Sequence, residues 1–155
     1  MISPEGNVYE GHYKNSKAQG QGTYRDANGS QYEGQWIEDV QHGRGREDFL
    51  DGSFYEGDYK YGMKCGKGKF VWPDGSCYEG DFRENFIEGY GFYQWADGRR
   101  YQGEWRRNKM DGTGVFSFKD GRRYKGGYLN DKKHGKGLFV WNDGSRYCGD
   151  WVEGK

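Results

Sequence analysis

The sequence predicts an all-β chain built as a stack of β-hairpins, on three observations: a strict tyrosine register, glycines fixed to that register, and one Asn-Gly or Asp-Gly pair per period. Tyrosine stands at 9, 32, 55, 78, 101, 124 and 147, each step 23 residues. Glycine follows two positions later, at Gly11, Gly34, Gly57, Gly80, Gly103, Gly126 and Gly149, and an aromatic two further on, at Tyr13, Trp36, Tyr59, Phe82, Trp105, Tyr128 and Trp151. Such fixed-period self-similarity is the signature of repeat architectures.

Each period divides into two strands. Tyr-x-Gly-x-aromatic alternates with the two-residue rhythm of a strand, and Gly-x-Gly-x-aromatic-x-aromatic, as in Gly66, Gly68, Phe70 and Trp72, gives a second. The Asn28-Gly29 pair, and Asp-Gly at 51/52, 74/75, 97/98, 120/121 and 143/144, read as tight hairpin turns. On the inner face a ring of one strand can lie over a glycine of its neighbour. The expected core is therefore Tyr32, Gly34, Trp36, Tyr55, Gly57, Tyr59, Tyr78, Gly80, Phe82, Tyr101, Gly103, Trp105, Tyr124, Gly126 and Tyr128. A lone hairpin is marginal in water, so each unit must borrow the faces and edges of its neighbours. The expected form is a single-layer, twisted, solenoid-like rod of six full repeats and a partial seventh, about 60 Å long at the usual strand spacing.

Composition agrees. Only 32% of the 155 residues are hydrophobic and 19% are aromatic, against 29 glycines. The mean hydropathy of −1.25 would suit a disordered chain, were the rings fewer. Two prolines and the lack of Ala, Leu or Met at helical spacing leave little place for α-helix. With no apolar leader or membrane-length apolar run, a soluble, cytoplasmic protein is expected.

The Tyr-Glu-Gly-x-Trp run, the His-Gly-x-Gly segments His42-Gly43-Arg44-Gly45 and His134-Gly135-Lys136-Gly137, and the Asp-Gly-x-x-Tyr-Glu-Gly join resemble the MORN repeat family over nearly the whole chain. The resemblance implies an elongated hairpin stack. All-repeat chains of this kind are similar to the cytoskeletal scaffolds of apicomplexan and trypanosome parasites, which implies self-association as a homodimer, cytoskeletal or membrane-associated protein partners, and a role in cell division. Other family settings, beside lipid kinase or methyltransferase domains or in junctional membrane proteins, imply anionic phospholipids as an alternative partner and the cytoplasmic face of a membrane as a location.

Departures from the pattern carry information. Asp26 and Glu47 stand where inner aromatics are expected, so the first two units should be looser, and the second is a place for a bend. The seventh unit stops at Lys155 before its second strand, as in a piece of a longer array or an unpaired edge open to association.

The net charge is zero but unevenly spread: residues 1–98 hold 10 basic and 17 acidic side chains, and residues 99–136 hold 12 and 4. Arg100, Arg123 and Arg146 fall one period apart as an outward column beside Lys125, and Arg106, Arg107, Lys109, Lys132 and Lys133 add to the basic stretch. A ladder of like charge is either screened by solvent and cross-strand pairs or compensated by a partner's carboxylate or a lipid phosphate. The column Glu10, Glu33, Glu56 and Glu79 is its acidic counterpart. Val40, Tyr61, Met63, Phe86, Ile87 and Met110 read as apolar loop residues, with Phe86-Ile87 a candidate contact point.

Cys65, Cys77 and Cys148, an odd number without a Cys-x-x-Cys pair, do not read as disulfides or an intrachain zinc site; with His42 and His134 they leave only a metal shared between chains as an alternative to free thiols. The acidic residues recur in every period rather than forming one unique pair, and each Gly-x-Gly lacks the Gly-Lys-Ser/Thr of a phosphate loop. Neither an enzyme nor a cofactor is expected. The aromatics are committed to the interior, so nucleic acid is not an expected partner either.

Overall fold

The structure is a computed structural model that describes residues 6–152 and 154. Every regular element is a strand: β1 (Val8–Lys14), β2 (Lys17–Arg25), β3 (Gln31–Ile37), β4 (Val40–Asp48), β5 (Phe54–Lys60), β6 (Met63–Val71), β7 (Cys77–Arg83), β8 (Phe86–Gln94), β9 (Arg100–Arg106), β10 (Lys109–Ser117), β11 (Arg123–Leu129), β12 (Lys132–Val140) and β13 (Arg146–Trp151). The strands are ordered as in the chain, without a crossover, in an open antiparallel sheet. No helix among the described residues is long and apolar enough to cross a membrane. The contacts group into two compact units, one of residues 1–73 and 82–85, the other of residues 74–81 and 86–155.

Within each repeat the two strands are joined by a two-residue turn with both central residues at positive φ: Asn15/Ser16, Glu38/Asp39, Tyr61/Gly62, Glu84/Asn85, Arg107/Asn108 and Asn130/Asp131. This is the turn whose twist matches that of paired strands. The expectation that Asp-Gly makes the tight hairpin is thus corrected. Asp-Gly lies in the longer connection between repeats, where Gly52 N–H donates to Phe49 O (3.1 Å) and Phe49 N–H to Ser53 O (2.9 Å). There Gly52 takes φ 94° and Asp51 Oδ1 accepts from Ser53 N–H and Oγ–H. Asp-Gly satisfies both geometries locally, so the dipeptide alone could not tell the two connections apart.

The tight turns also fasten repeat to repeat. The Asn108 side chain accepts from Ile87 N–H (2.8 Å) while its own N–H donates to Ile87 O (2.9 Å). Asp39 clamps Ala18, Asn85 clamps Lys64 and Asp131 clamps Met110 in the same way, whereas Gly62 keeps only the backbone bond to Gln41 O. Val40, Met63, Phe86, Ile87 and Met110, expected in loops, are the opening residues of second strands. Ile87 and Met110 are buried, and only Tyr61 sits in a turn.

The Gly-x-Gly pair splits its labour. The first glycine, such as Gly43 at φ 77°, lies in a bulge where three residues of β4 face one of β3, a conformation that a β-carbon would oppose. A neighbouring carboxylate or amide caps the bulge: Arg44 N–H donates to Gln35, Lys67 N–H to Asp58, Tyr90 N–H to Asp81 and Thr113 N–H to Glu104. The second glycine makes room for the ring. A β-carbon on Gly45, Gly68, Gly91, Gly114 or Gly137 would overlap the phenol of Tyr32, Tyr55, Tyr78, Tyr101 or Tyr124.

Those tyrosines are the fully buried column of the fold. Each hydroxyl donates to the carbonyl three residues on, as Tyr32 to Gln35 (2.8 Å) and Tyr101 to Glu104 (2.9 Å). Each ring is held edge-on between the aromatic of its own repeat and that of the next: Tyr32 between Trp36 (4.9 Å) and Tyr59 (5.2 Å), Tyr101 between Trp105 (5.1 Å) and Tyr128 (5.3 Å). Edge-to-face pairs add about 0.5–1.5 kcal/mol beyond burial, so rings substitute here for the missing aliphatic core.

Candidate partner-binding faces

The alternation that buries the tyrosines on one face turns every intervening residue to the other. In the second unit one outward row, read through the strand register, is Gln94, Arg100, Ser117, Arg123, Val140, Arg146, and the next is Phe92, Gln102, Val115, Lys125, Leu138, Cys148. Arg100, Arg123, Arg146 and Lys125 are all exposed and, among the described residues, none makes an ion pair. Arg106 pairs with Lys109 at the far end of β9, six residues from Arg100 and thus about 20 Å along the strand. Arg107 lies in the turn with its guanidinium 5.9 Å from the Phe86 ring centre. The six basic residues therefore fall in two places rather than on one patch.

The other face carries the rings. In the second unit Tyr93–Trp95–Phe116–Phe118–Phe139–Trp141 form a run of tilted contacts at 4.5–5.7 Å. In the first unit Asp26 and Glu47 interrupt the equivalent columns. Glu47 is engaged, because Tyr59 Oη donates to it at 2.8 Å. Burial and that carboxylate raise the Tyr59 pKa well above its ordinary value. Beside β1 lies a cleft of about 500 Å³ lined by Asn7, Tyr9, Tyr13, Ala18, Tyr24, Trp36, Asp39 and Gln41. The sequence shows the missing ring at Asp26 but gives no sign of this cleft.

Two lysines also point into this face. Lys64 Nζ lies 5.4–5.9 Å from the ring centres of Phe49, Tyr55 and Phe70, and Lys133 Nζ lies 5.5–5.9 Å from those of Phe118, Tyr124, Phe139 and Trp151. Desolvation lowers both pKa values; the Glu47 charge opposes the shift at Lys64, whereas Arg122 adds to it at Lys133. In the sequence Lys133 counts only as a member of a basic cluster, and nothing there marks its place among the rings.

The thiols do not converge. Cys65 pairs across strands with Asp58, Cys148 with Leu138, and Cys77 opens β7. His42 accepts Tyr61 N–H through Nδ1 and lies against its ring, and His134 Nδ1 is buried without a partner. No group of three metal-ligating side chains occurs among the described residues.

The MORN repeat profile matches residues 9–31, 32–54, 55–77, 78–99, 101–122, 124–146 and 147–155. The chain belongs to the MORN repeat family. Six of its seven matched segments begin on the buried tyrosines, the seventh on exposed Tyr147, so the family's period coincides with the ring column that organises this core. No curated protein sequence matches this MORN chain. Among solved structures it is similar in fold to the TCP domain of Drosophila melanogaster SAS-4 (dCPAP), described in complex with a proline-rich motif of Ana2 (dSTIL). The two share 14% identity with a TM-score of 0.51, covering 83% of this chain and 71% of that one. The TCP10 domain of Danio rerio CPAP matches at 16% identity and a TM-score of 0.32, over 97% and 82% of the two chains. MORN repeats are structural and binding repeats, and the phenols and carboxylates described here are engaged in the fold rather than assembled as a nucleophile with a base.

Proposed function

We propose that this MORN array is a non-enzymatic scaffold that holds a partner protein by an extended segment laid on its ring-bearing face. The observation that carries the reading is the cleft of about 500 Å³ in the first unit, walled by Tyr9, Tyr13, Tyr24 and Trp36 with Asp39 and Gln41 at its edge. Aromatic walls with few polar groups suit an apolar, pre-extended segment such as a proline-rich one, which loses little entropy on binding. The proline-rich partner of the SAS-4 TCP domain supports the same class of occupant on a similar fold. Titration with a proline-rich peptide, followed by Trp36 fluorescence, is expected to saturate in the wild type and weaken in a Tyr13→Ala/Tyr24→Ser double variant. Affinity unchanged in that variant would sink the cleft as the site. Self-association and a cytoskeletal setting in cell division complete this scaffold proposal, and the mass of the same samples by light scattering reads the first of them.

The exposed row Arg100, Arg123, Arg146 with Lys125 favours a second reading, peripheral attachment to anionic phospholipid on a cytoplasmic membrane face, at about 1 kcal/mol per basic residue near the surface. Co-sedimentation with phosphoinositide-containing vesicles at physiological salt, lost in the Arg100/Arg123/Arg146→Glu triple variant, is the expected result. Pelleting that the triple variant retains would remove the reading.

A further inference from the structure

The position held by Lys133 recurs once per repeat, as Ala18, Gln41, Lys64, Ile87 and Met110. In the second unit Ile87 and Met110 are buried apolar side chains, so the fold does not require a cation there. Where a lysine occupies the site in the first unit, the ring column of the preceding repeat carries a carboxylate: Tyr59 Oη donates to Glu47, and the Glu47 charge favours the Lys64 ammonium without an ion pair between them. Lys133 has the three equivalent rings and Trp151 around it and, among the described residues, no such carboxylate. The column position equivalent to Glu47 is held by Phe116, and the nearby charge is the Arg122 guanidinium, whose Cζ lies 4.8 Å from the Phe118 ring centre. Arg122 Nε lies 2.7 Å from Asp120 Oδ2, whereas among the described residues the Lys133 ammonium makes no ion pair.

A second donor stands nearby without an acceptor. Trp36 Nε1 donates to Gly22 O (3.0 Å) and Trp105 Nε1 to Gly91 O (3.3 Å), but the equivalent Trp151 Nε1 is buried with no hydrogen-bond partner. Trp151 is one of the four rings around Lys133 Nζ, at 5.5 Å. A desolvated cation over ring faces gains from cation–π contact but keeps its demand for an anion, and an unpaired buried N–H leaves a further cost to be relieved.

We propose that the ring-bearing face of the second unit at Lys133 is a subsite for a partner protein's Asp or Glu side chain flanked by apolar residues. The carboxylate takes from the partner the role that Glu47 plays internally at Lys64, and the flanking side chains rest on Phe118, Phe139 and Trp151. Glu47 itself shows that this face accepts a side-chain carboxylate among rings, which favours a protein segment over a lipid phosphate. The subsite rests on the scaffold reading but lies in a different unit from the Tyr24–Trp36 cleft, so each fails or stands separately.

The test uses the full chain and two capped pentapeptides, Gly-Phe-Glu-Leu-Gly and its Gln counterpart, titrated to millimolar concentration while the Trp151 indole resonance is followed. The Glu peptide is expected to shift that resonance and to bind about tenfold more tightly than the Gln peptide, as a charge-assisted contact should. Lys133→Met, which installs the side chain found at Met110, is expected to melt as the wild type does and to abolish the difference; Lys133→Ile, the Ile87 side chain, serves if the first variant does not fold. The Tyr13→Ala/Tyr24→Ser variant is expected to keep it. Equal affinity for both peptides, no binding, or undiminished discrimination in Lys133→Met overturns the proposal. So does Lys133-dependent binding to phosphatidylserine vesicles without peptide discrimination.

Discussion

In the first unit the outward row Glu10, Thr23, Glu33, Arg46, Glu56, Lys69 mixes acidic and basic side chains, and Arg46 sits 3.6 Å from Glu56 and 3.2 Å from Asp48. The same row in the second unit reads Phe92, Gln102, Val115, Lys125, Leu138, Cys148, beside arginines that lack a carboxylate. The ring-bearing faces differ as well. The first unit places Glu47 and Asp26 in the ring columns and has a cleft beside β1, whereas the second keeps the ring series whole and, among the described residues, gives Lys133 no ion pair. Since strand length, bulge and turn are shared, the tyrosine and glycine columns set the backbone, and the remaining columns are free to make each unit's surface its own.

The shared part is open to attack at high pH. Burial raises the pKa of Tyr32, Tyr55, Tyr78 and Tyr101 above the ordinary 10.0, so the folded state holds these protons more tightly than the unfolded chain. Stability is full below pH 10 and falls as pH rises beyond it, because the unfolded chain then binds fewer protons. Titration at 295 nm with parallel circular dichroism should show the two units losing structure together with tyrosine ionisation, the largest effect expected here. Ionisation near pH 10 without loss of structure would break the idea that this column sustains both units.

Next come the columns that differ. Phe116→Ala removes a buried ring of the second unit and should cost about 3–5 kcal/mol, while Glu47→Ala, which strips Tyr59 Oη of its acceptor, should cost only about 1–3 kcal/mol. Denaturant melts of the two variants that gave equal losses would mean that the first unit is as tightly packed as the second. Asn108→Ala should cost about 1–2 kcal/mol by losing its clamp on Ile87 and straining a positive φ. Gly62→Asn should stabilise the first unit by about 0.5–1 kcal/mol, since asparagine tolerates φ 84° and can supply the clamp to Gln41 that glycine lacks. The smallest contrast is on the surface: Arg46→Ala should lose at most about 1 kcal/mol, and Arg123→Ala close to nothing, with the Arg46 effect fading in salt.

The repeat tyrosines, the glycines beneath them and the second Gly-x-Gly glycine were legible in the sequence because a strict period forces each ring to meet the same neighbour in every repeat. The tight turns were not. Glu38-Asp39, Arg107-Asn108 and Asn130-Asp131 share no dipeptide, and what unites them is a left-handed backbone and a side-chain clamp to a residue 21 positions earlier. The candidate sites were half legible: alternation placed Arg100, Arg123 and Arg146 outward, but a charge run carries no mark separating Lys132, which is exposed, from Lys133, which turns among four rings.

The sequence by itself determined the fold class, the period, the buried column and the family, all of which follow from local alternation multiplied by repetition. The tertiary structure alone decided which connection is tight, that a cleft lies between Tyr13 and Trp36, that Glu47 is answered by Tyr59, and that Lys133 turns among four rings. Those outcomes depend on contacts between residues of different repeats and opposite strands, where a bulge or a turn resets the facing of a side chain by one position.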